Sequence, residues 1–204
     1  MTRPKLSSLS SASTQVGDAP TTMTTAKIQH YVPQFLLRSF GNGKKDQVWV
    51  YDKFLARSFP SNTKNVASES RFYDFECEGQ RLSLEPWLAA LEGHARSVVR
   101  FVLEADSVST LANEQRHVLA SFLAVQLTRT KTFREEWSAI PRMLREHFAR
   151  SGDQVVPGSQ AAELAEDFTE NESKEQTARL VYQAPETYAA HFLDNVAKAP
   201  ISAE

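Results

Sequence analysis

Cysteine is almost missing from this chain: Cys77 is the only one in 204 residues. That excludes an intrachain disulfide and any multi-cysteine metal site, and a reducing, cytoplasmic home is the simplest expectation. Charge of one sign is not dominant either, since 23 Lys and Arg face 25 Asp and Glu. The resulting net charge of −2 gives no support to a nucleic-acid partner, although local basic patches stay compatible with one. No apolar run is long enough to span a bilayer, so no membrane partner is expected. Several catalytic signatures are also absent. The five histidines form no pair at four-residue spacing, which removes the helix-borne zinc protease arrangement. The paired Glu-x-x-His motifs of a carboxylate-bridged di-iron centre are not there. No glycine-rich loop opens a helix in the manner that cradles nucleotide phosphates, and no serine sits in a nucleophile elbow. Glu76 and Glu78 flank Cys77 and oppose its thiolate. No motif points to a cofactor.

Residues 1–26 form a Ser/Thr-rich leader with almost no large apolar side chains. Such a composition cannot bury enough surface to offset its ordering entropy, so a disordered tail is expected. Arg3 and Lys5 are followed by no continuous apolar stretch, which argues against a secretory signal. Met23 is an alternative start, because the patterned sequence begins just after it.

The aromatic residues concentrate beyond residue 30 and place the core there. Phe35, Leu36, Leu37 and Phe40 suit one or two helical turns opened by Pro33, with the following glycines as a stop. Val48, Trp49, Val50 and Tyr51 read as a strand, with antiparallel partners over 55–59 and 71–77 and a turn at Pro60, Ser61 and Asn62. The expectation is a small meander covered on one face by helices. Ser83 is the candidate N-cap of a long helix on which Leu84, Leu88, Leu91, Ala95, Val98 and Val102 recur at helical steps. A second helix is expected from about Thr110, with Leu119, Phe122 and Phe133 along one side, continuing towards Pro141. A further piece follows with Met143, Leu144 and Phe148. Residues 160–182 are acidic and helix-prone, anchored by Leu164, Phe168 and Leu180. A last helix is expected from Pro185 through Tyr188, Phe192 and Val196 to about Pro200. The fold class is therefore α+β, mainly α-helical with a small antiparallel β-meander near the N-terminus. The chain divides into the leader (1–26), an α+β core (27–150) and an acidic helical C-terminal segment (151–204).

Two groups of residues are candidates for chemistry. On the first long helix Glu85 and Glu92 are seven residues apart, about 10 Å along one side, and Arg96 lies one turn beyond Glu92. On the next helix Gln126 and Arg129 fall within the apolar arc. A glutamine and a guanidinium there must find partners, and the two glutamates are the obvious ones. The plainer reading is a structural network of Arg–carboxylate bonds. The sharper one is a polar pocket that handles a ligand. The second group is His30, Tyr31, Asp52 and Lys53. A His shortly before a Pro, here His30 and Pro33, resembles the base-bearing strand of some histidine-dependent nucleases, but no metal-binding partner follows at the right spacing. Asp52 and Lys53 at a strand end suit either a phosphodiester-cleaving site or an ordinary turn, and the turn is favoured.

Taken in order, these elements resemble a bacterial family known as the domain of unknown function 4238. The similar residues are His30, Tyr31, Val32 and Pro33 with Phe35, Leu36, Arg38 and Phe40, then Tyr51, Asp52 and Lys53. Phe72, Tyr73 and Asp74 follow, then Leu84, Glu85, Leu88, Leu91 and Glu92. The last are Phe122, Leu123, Ala124, Gln126, Arg129 and Thr130, so that the similarity spans about residues 27–136. The resemblance implies a shared fold and supplies no activity or catalytic residues. Such proteins usually continue into a Ser-Asp-Asn-Pro-like segment that is not seen here, which implies a copy shortened at its C-terminus. The functional expectation is a non-catalytic binding or interaction module. The alternatives are a metal-dependent phosphodiester hydrolase using His30, Asp52, Lys53, Glu85 and Glu92, or an inactive shortened copy of one.

Overall fold

The computed structural model describes residues 26–41, 43 and 45–198, with the side chains of 195–198 left out. The expected disordered leader (1–26) up to residue 25, the alternative start at Met23, the side chain of Val196 and the stop near Pro200 lie outside what is described. Residues 28–83 carry six short strands: β1 (Ile28–His30), β2 (Gln47–Asp52), β3 (Arg57–Asn62), β4 (Ser68–Ser70), β5 (Asp74–Cys77) and β6 (Gln80–Ser83). Among the described residues they make three separate antiparallel pairs, β1 with β4, β2 with β3, and β5 with β6. The expected single meander is thus replaced by three two-stranded ribbons, each steadied by packing rather than by further strands. Pro60, Ser61 and Asn62 lie within β3 opposite Trp49, Val48 and Gln47, not in a turn. Proline is tolerated there because an edge strand need not donate from every residue.

The helices are α1 (Gln34–Ser39), α2 (Glu85–Ala105), α3 (Asn113–Thr128), α4 (Lys131–Ser151), α5 (Gln160–Leu164) and α6 (Glu170–Lys198). On α2 the periodic residues Leu88, Leu91, Ala95 and Val98 are buried with Trp87. Its N-cap is Leu84. The Ser83 hydroxyl donates inward to Asp74 at 2.8 Å and also accepts from the Glu85 amide, the first of α2, at 3.4 Å, so it serves the core and the helix start together.

α3 is the central helix, packed between α2 and α6. Ala120, Ala124 and Val125 of α3 are fully buried, as are Ala178, Val181 and Ala184 of α6. These small side chains let the two helices approach closely while Phe122 fills the adjoining core. The expected anchors Leu164, Phe168 and Leu180 are only half-buried. α6 thus joins the same core as residues 72–125.

The helix expected from about Thr110 towards Pro141 is two helices. It breaks at Arg129 and Thr130, where Thr130 takes an extended conformation and its side chain accepts from the Phe133 amide at 3.1 Å. No Gly or Pro marks this break; a threonine cap does. Conversely, Pro141 and Pro185 stay inside α4 and α6, although each lacks one ladder donor.

Candidate functional site

Arg129 ends α3 with its side chain directed into the protein, and it is the largest fully buried side chain. Its Nε donates to the Tyr73 hydroxyl at 3.0 Å and one terminal nitrogen to Glu92 Oε1 at 2.7 Å. The other terminal nitrogen donates to the His30 carbonyl. The Tyr73 hydroxyl donates in turn to the Arg129 carbonyl at 3.2 Å. The β1 end, the β5 approach, α2 and the α3 terminus are therefore tied together by one guanidinium. Burial opposes its charge, but Tyr73 and Glu92 outweigh that cost and its pKa is raised. Burial pushes the Tyr73 hydroxyl up to about 12, so the phenol stays protonated and can keep donating.

Beside this clamp lies a second buried set. Gln29, fully buried, accepts from the Tyr73 amide at 2.6 Å and donates to Asp74 at 2.6 Å. Asp74 also faces Arg71 and Arg81, each at 3.6 Å. Glu85 stands between the two sets. Burial drives its carboxyl up to about 7, with Glu92 and Asp74 adding repulsion and Arg129 opposing both. Its Oε2, the His30 Nε2 and the Gln126 Nε2 are buried with no hydrogen-bond partner among the described residues. Burial lowers the His30 pKa, so its imidazole is neutral near pH 7.

The sequence candidates divide accordingly. His30, Glu92 and Arg129 are bonded together, and Glu85 is coupled to them through charge. Tyr31 packs against Phe72 with ring centroids 5.4 Å apart. Arg96 lies over the Phe35 ring at 5.6 Å and does not bond Glu92. Asp52 and Lys53 sit at the far end of the β2–β3 hairpin. There Asp52 Oδ1 accepts from the Phe54 and Leu55 amides, both at 3.0 Å, as a turn aspartate does. Among the described residues no three His, Cys, Asp or Glu side chains converge to hold a metal ion.

Gln29 and Arg134 are engaged in the buried structure without any signal for it in the sequence pattern. Arg134 stacks on the Phe72 ring at 3.5 Å and donates to the Phe72 carbonyl. Burial brings its pKa down to about 10. It lines a groove of about 600 Å³ between α4 and the start of α6. The groove's lysines are engaged, Lys131 with Glu69 at 2.6 Å and Lys174 with Glu170 at 2.7 Å. Its charges are therefore balanced internally. Cys77 is half-buried, and burial followed by Glu175 raises its thiol pKa, so it is a poor nucleophile.

The fold and the clamp define a mainly helical α+β domain in which a buried arginine joins the sheet ribbons to the helices. No helix among the described residues is long and apolar enough to cross a membrane. The chain belongs to the family described as protein of unknown function DUF4238, whose pattern matches residues 28–202. The match extends well past residue 136 and takes in α4, α5 and α6. No curated protein and no solved structure matches the chain.

Proposed function

We propose that this domain is a non-catalytic binding module that engages its partner through the β2–β3 hairpin. The carrying observation is the exposure of that hairpin's aromatic residues. Trp49 is 63%, Tyr51 61% and Phe54 100% exposed, although these are the side chains a fold ordinarily hides. Trp49 and Tyr51 alternate along β2 and so project from one face of the ribbon, while Val48 on the other face is buried. The hairpin is thereby anchored on one side and open on the other. Exposed apolar clusters of this kind mark interaction surfaces.

The polar cluster supports the same reading. Each nitrogen group of Arg129 is bonded within the protein, which suits a structural clamp. Asp52 serves its own turn, away from Glu85 and Glu92, so a phosphodiester-cleaving constellation has less support. A cytoplasmic setting fits the single unpaired cysteine.

The test is site-specific photo-crosslinking from a benzophenone amino acid placed at Phe54, in the full chain within its own cell extract. A defined adduct that disappears on Trp49→Ala with Tyr51→Ala is the expected result. An adduct pattern no different from that of a probe at Arg100, an exposed α2 position, would overturn the proposal.

A further inference from the structure

The distribution of charge around the exposed aromatics says what the hairpin takes. Residues 27–64 contain seven Lys or Arg, two Asp and no Glu, in a chain whose net charge is −2. Both aspartates are occupied: Asp46 by Arg38, Asp52 by the amides of its turn. Lys45, Lys53, Arg57 and Lys64 are all exposed. Lys53 adjoins Phe54 at the tip, and Arg57 lies over the Phe59 ring at 5.6 Å. The excess acid of the chain falls beyond residue 64, so the positive charge is concentrated in the segment that carries the hairpin.

We infer that the β2–β3 hairpin binds single-stranded nucleic acid, with bases stacked on Trp49 and Tyr51 and the adjoining phosphate held by Lys53. The assignment rests on the binding role proposed above. Flat aromatic faces spaced along a strand, about 6.8 Å apart at alternate residues, accept successive unstacked bases of any sequence. A cation next to them, Lys53 at the tip, neutralises the adjoining backbone. A duplex offers neither free base faces nor that spacing. An acidic protein partner would use the cations but not require two open aromatic faces. An anionic membrane would take the exposed Phe54 and Leu55 at the tip rather than Trp49 and Tyr51 along the strand, and competition by vesicles separates the two.

The experiment is fluorescence anisotropy of the full chain with labelled oligothymidylate and oligouridylate of about 16 nucleotides, the upper site size of a small single-strand binder. A matching duplex and phosphatidylserine vesicles serve as competitors, and the two oligonucleotides distinguish DNA from RNA. Saturable binding is expected, at least about tenfold weaker after Trp49→Ala with Tyr51→Ala. Lys53→Gln should lower the log–log salt slope by about 0.7, one phosphate at the single-strand value, whereas Arg57→Gln, opposite Asp52 on the other face of the ribbon, should leave it unchanged. These side chains are exposed, so an unchanged thermal melt confirms that the variants fold. No binding to either oligonucleotide overturns the assignment, as does unaltered affinity of the aromatic variant or displacement by duplex or vesicles alone. If position 54 crosslinks a protein while the oligonucleotides do not bind, the binding role stands and the nucleic-acid assignment falls. If both experiments are blank, both fall.

Discussion

Arg129 and Glu92 meet at 2.7 Å with very unequal access to water: the guanidinium side chain is 1% exposed and the carboxylate 21%. The pair is therefore a buried cation held by an anion at the edge of the protein. Replacing either partner has a different consequence. Arg129→Met should destabilise by about 3–5 kcal/mol, since three hydrogen bonds go and Glu92 and the His30 carbonyl lose their donor. Glu92→Gln keeps a hydrogen-bond acceptor but removes the counter-charge of a buried ion, and about 2–3 kcal/mol is expected. Urea denaturation of both single variants and the double variant measures the coupling. Additive effects would show that the two groups do not cooperate.

Glu85 gives a pH dependence of definite sign. Its folded-state pKa is about 7 against an ordinary value of 4.5, so the folded protein holds this proton more tightly than the unfolded chain. Stability from this group is complete below about 4.5 and is lost as pH rises through about 7. The span corresponds to about 2–3 kcal/mol after allowing for partial exposure. His30 acts oppositely, because burial lowers its pKa and folding disfavours its charged form below about 6.5. Melting temperatures of the parent and Glu85→Gln across this range should converge in acid. The variant should be the more stable above pH 7, and parallel curves would refute the burial of Glu85.

The α3–α6 contact depends on small side chains. Ala124 and Ala184 are completely buried and Ala178 nearly so. Ala124→Leu should cost at least about 1–3 kcal/mol by overpacking, whereas Ala90→Leu, on the half-buried side of α2, should cost less. Calorimetry of the two variants makes the comparison.

Thr130 separates two helices that the apolar pattern alone runs together. Thr130→Ala removes the acceptor for the Phe133 amide and should cost about 1 kcal/mol. Thr130→Ser should restore most of it. Equal stability of all three proteins would show that the cap does not matter.

Asp52 and Lys53 belong to a hairpin tip, and their substitution tests that placement. Lys53→Ala should leave stability within about 0.5 kcal/mol, and Asp52→Ala should cost about 0.5–1 kcal/mol from its two amide bonds. A loss of several kcal/mol from either would mean that they pack against the body of the protein.

The meeting of α2 and α3 through a guanidinium and a carboxylate was legible because Arg129 and Glu92 sit beside apolar stripes whose packing forces them together. The inward turn of Ser83 was not. A serine before a helix signals a cap, and Ser83 does accept from the Glu85 amide, but only the presence of Asp74 and Gln29 beneath it adds the inward bonds. Three isolated ribbons in place of one meander were likewise illegible, since strand propensity is local and strand partners are not. Arg134 gave no sign of its role, because stacking on Phe72 depends on how the segment before β5 meets α4.

From its own periodicity, composition and turn residues the chain determines where α2 lies, that α1 and β2 follow Pro33, and that the class is mainly helical. Local backbone preference and one-sided burial suffice for these. Tertiary structure alone decided that Ala124 and Ala178 are buried in one core where α3 packs on α6, and that the Arg129 carbonyl and side chain both serve Tyr73. It alone left Trp49 and Tyr51 facing outwards. Those outcomes depend on which surfaces of distant segments reach one another, and no spacing along the chain encodes that.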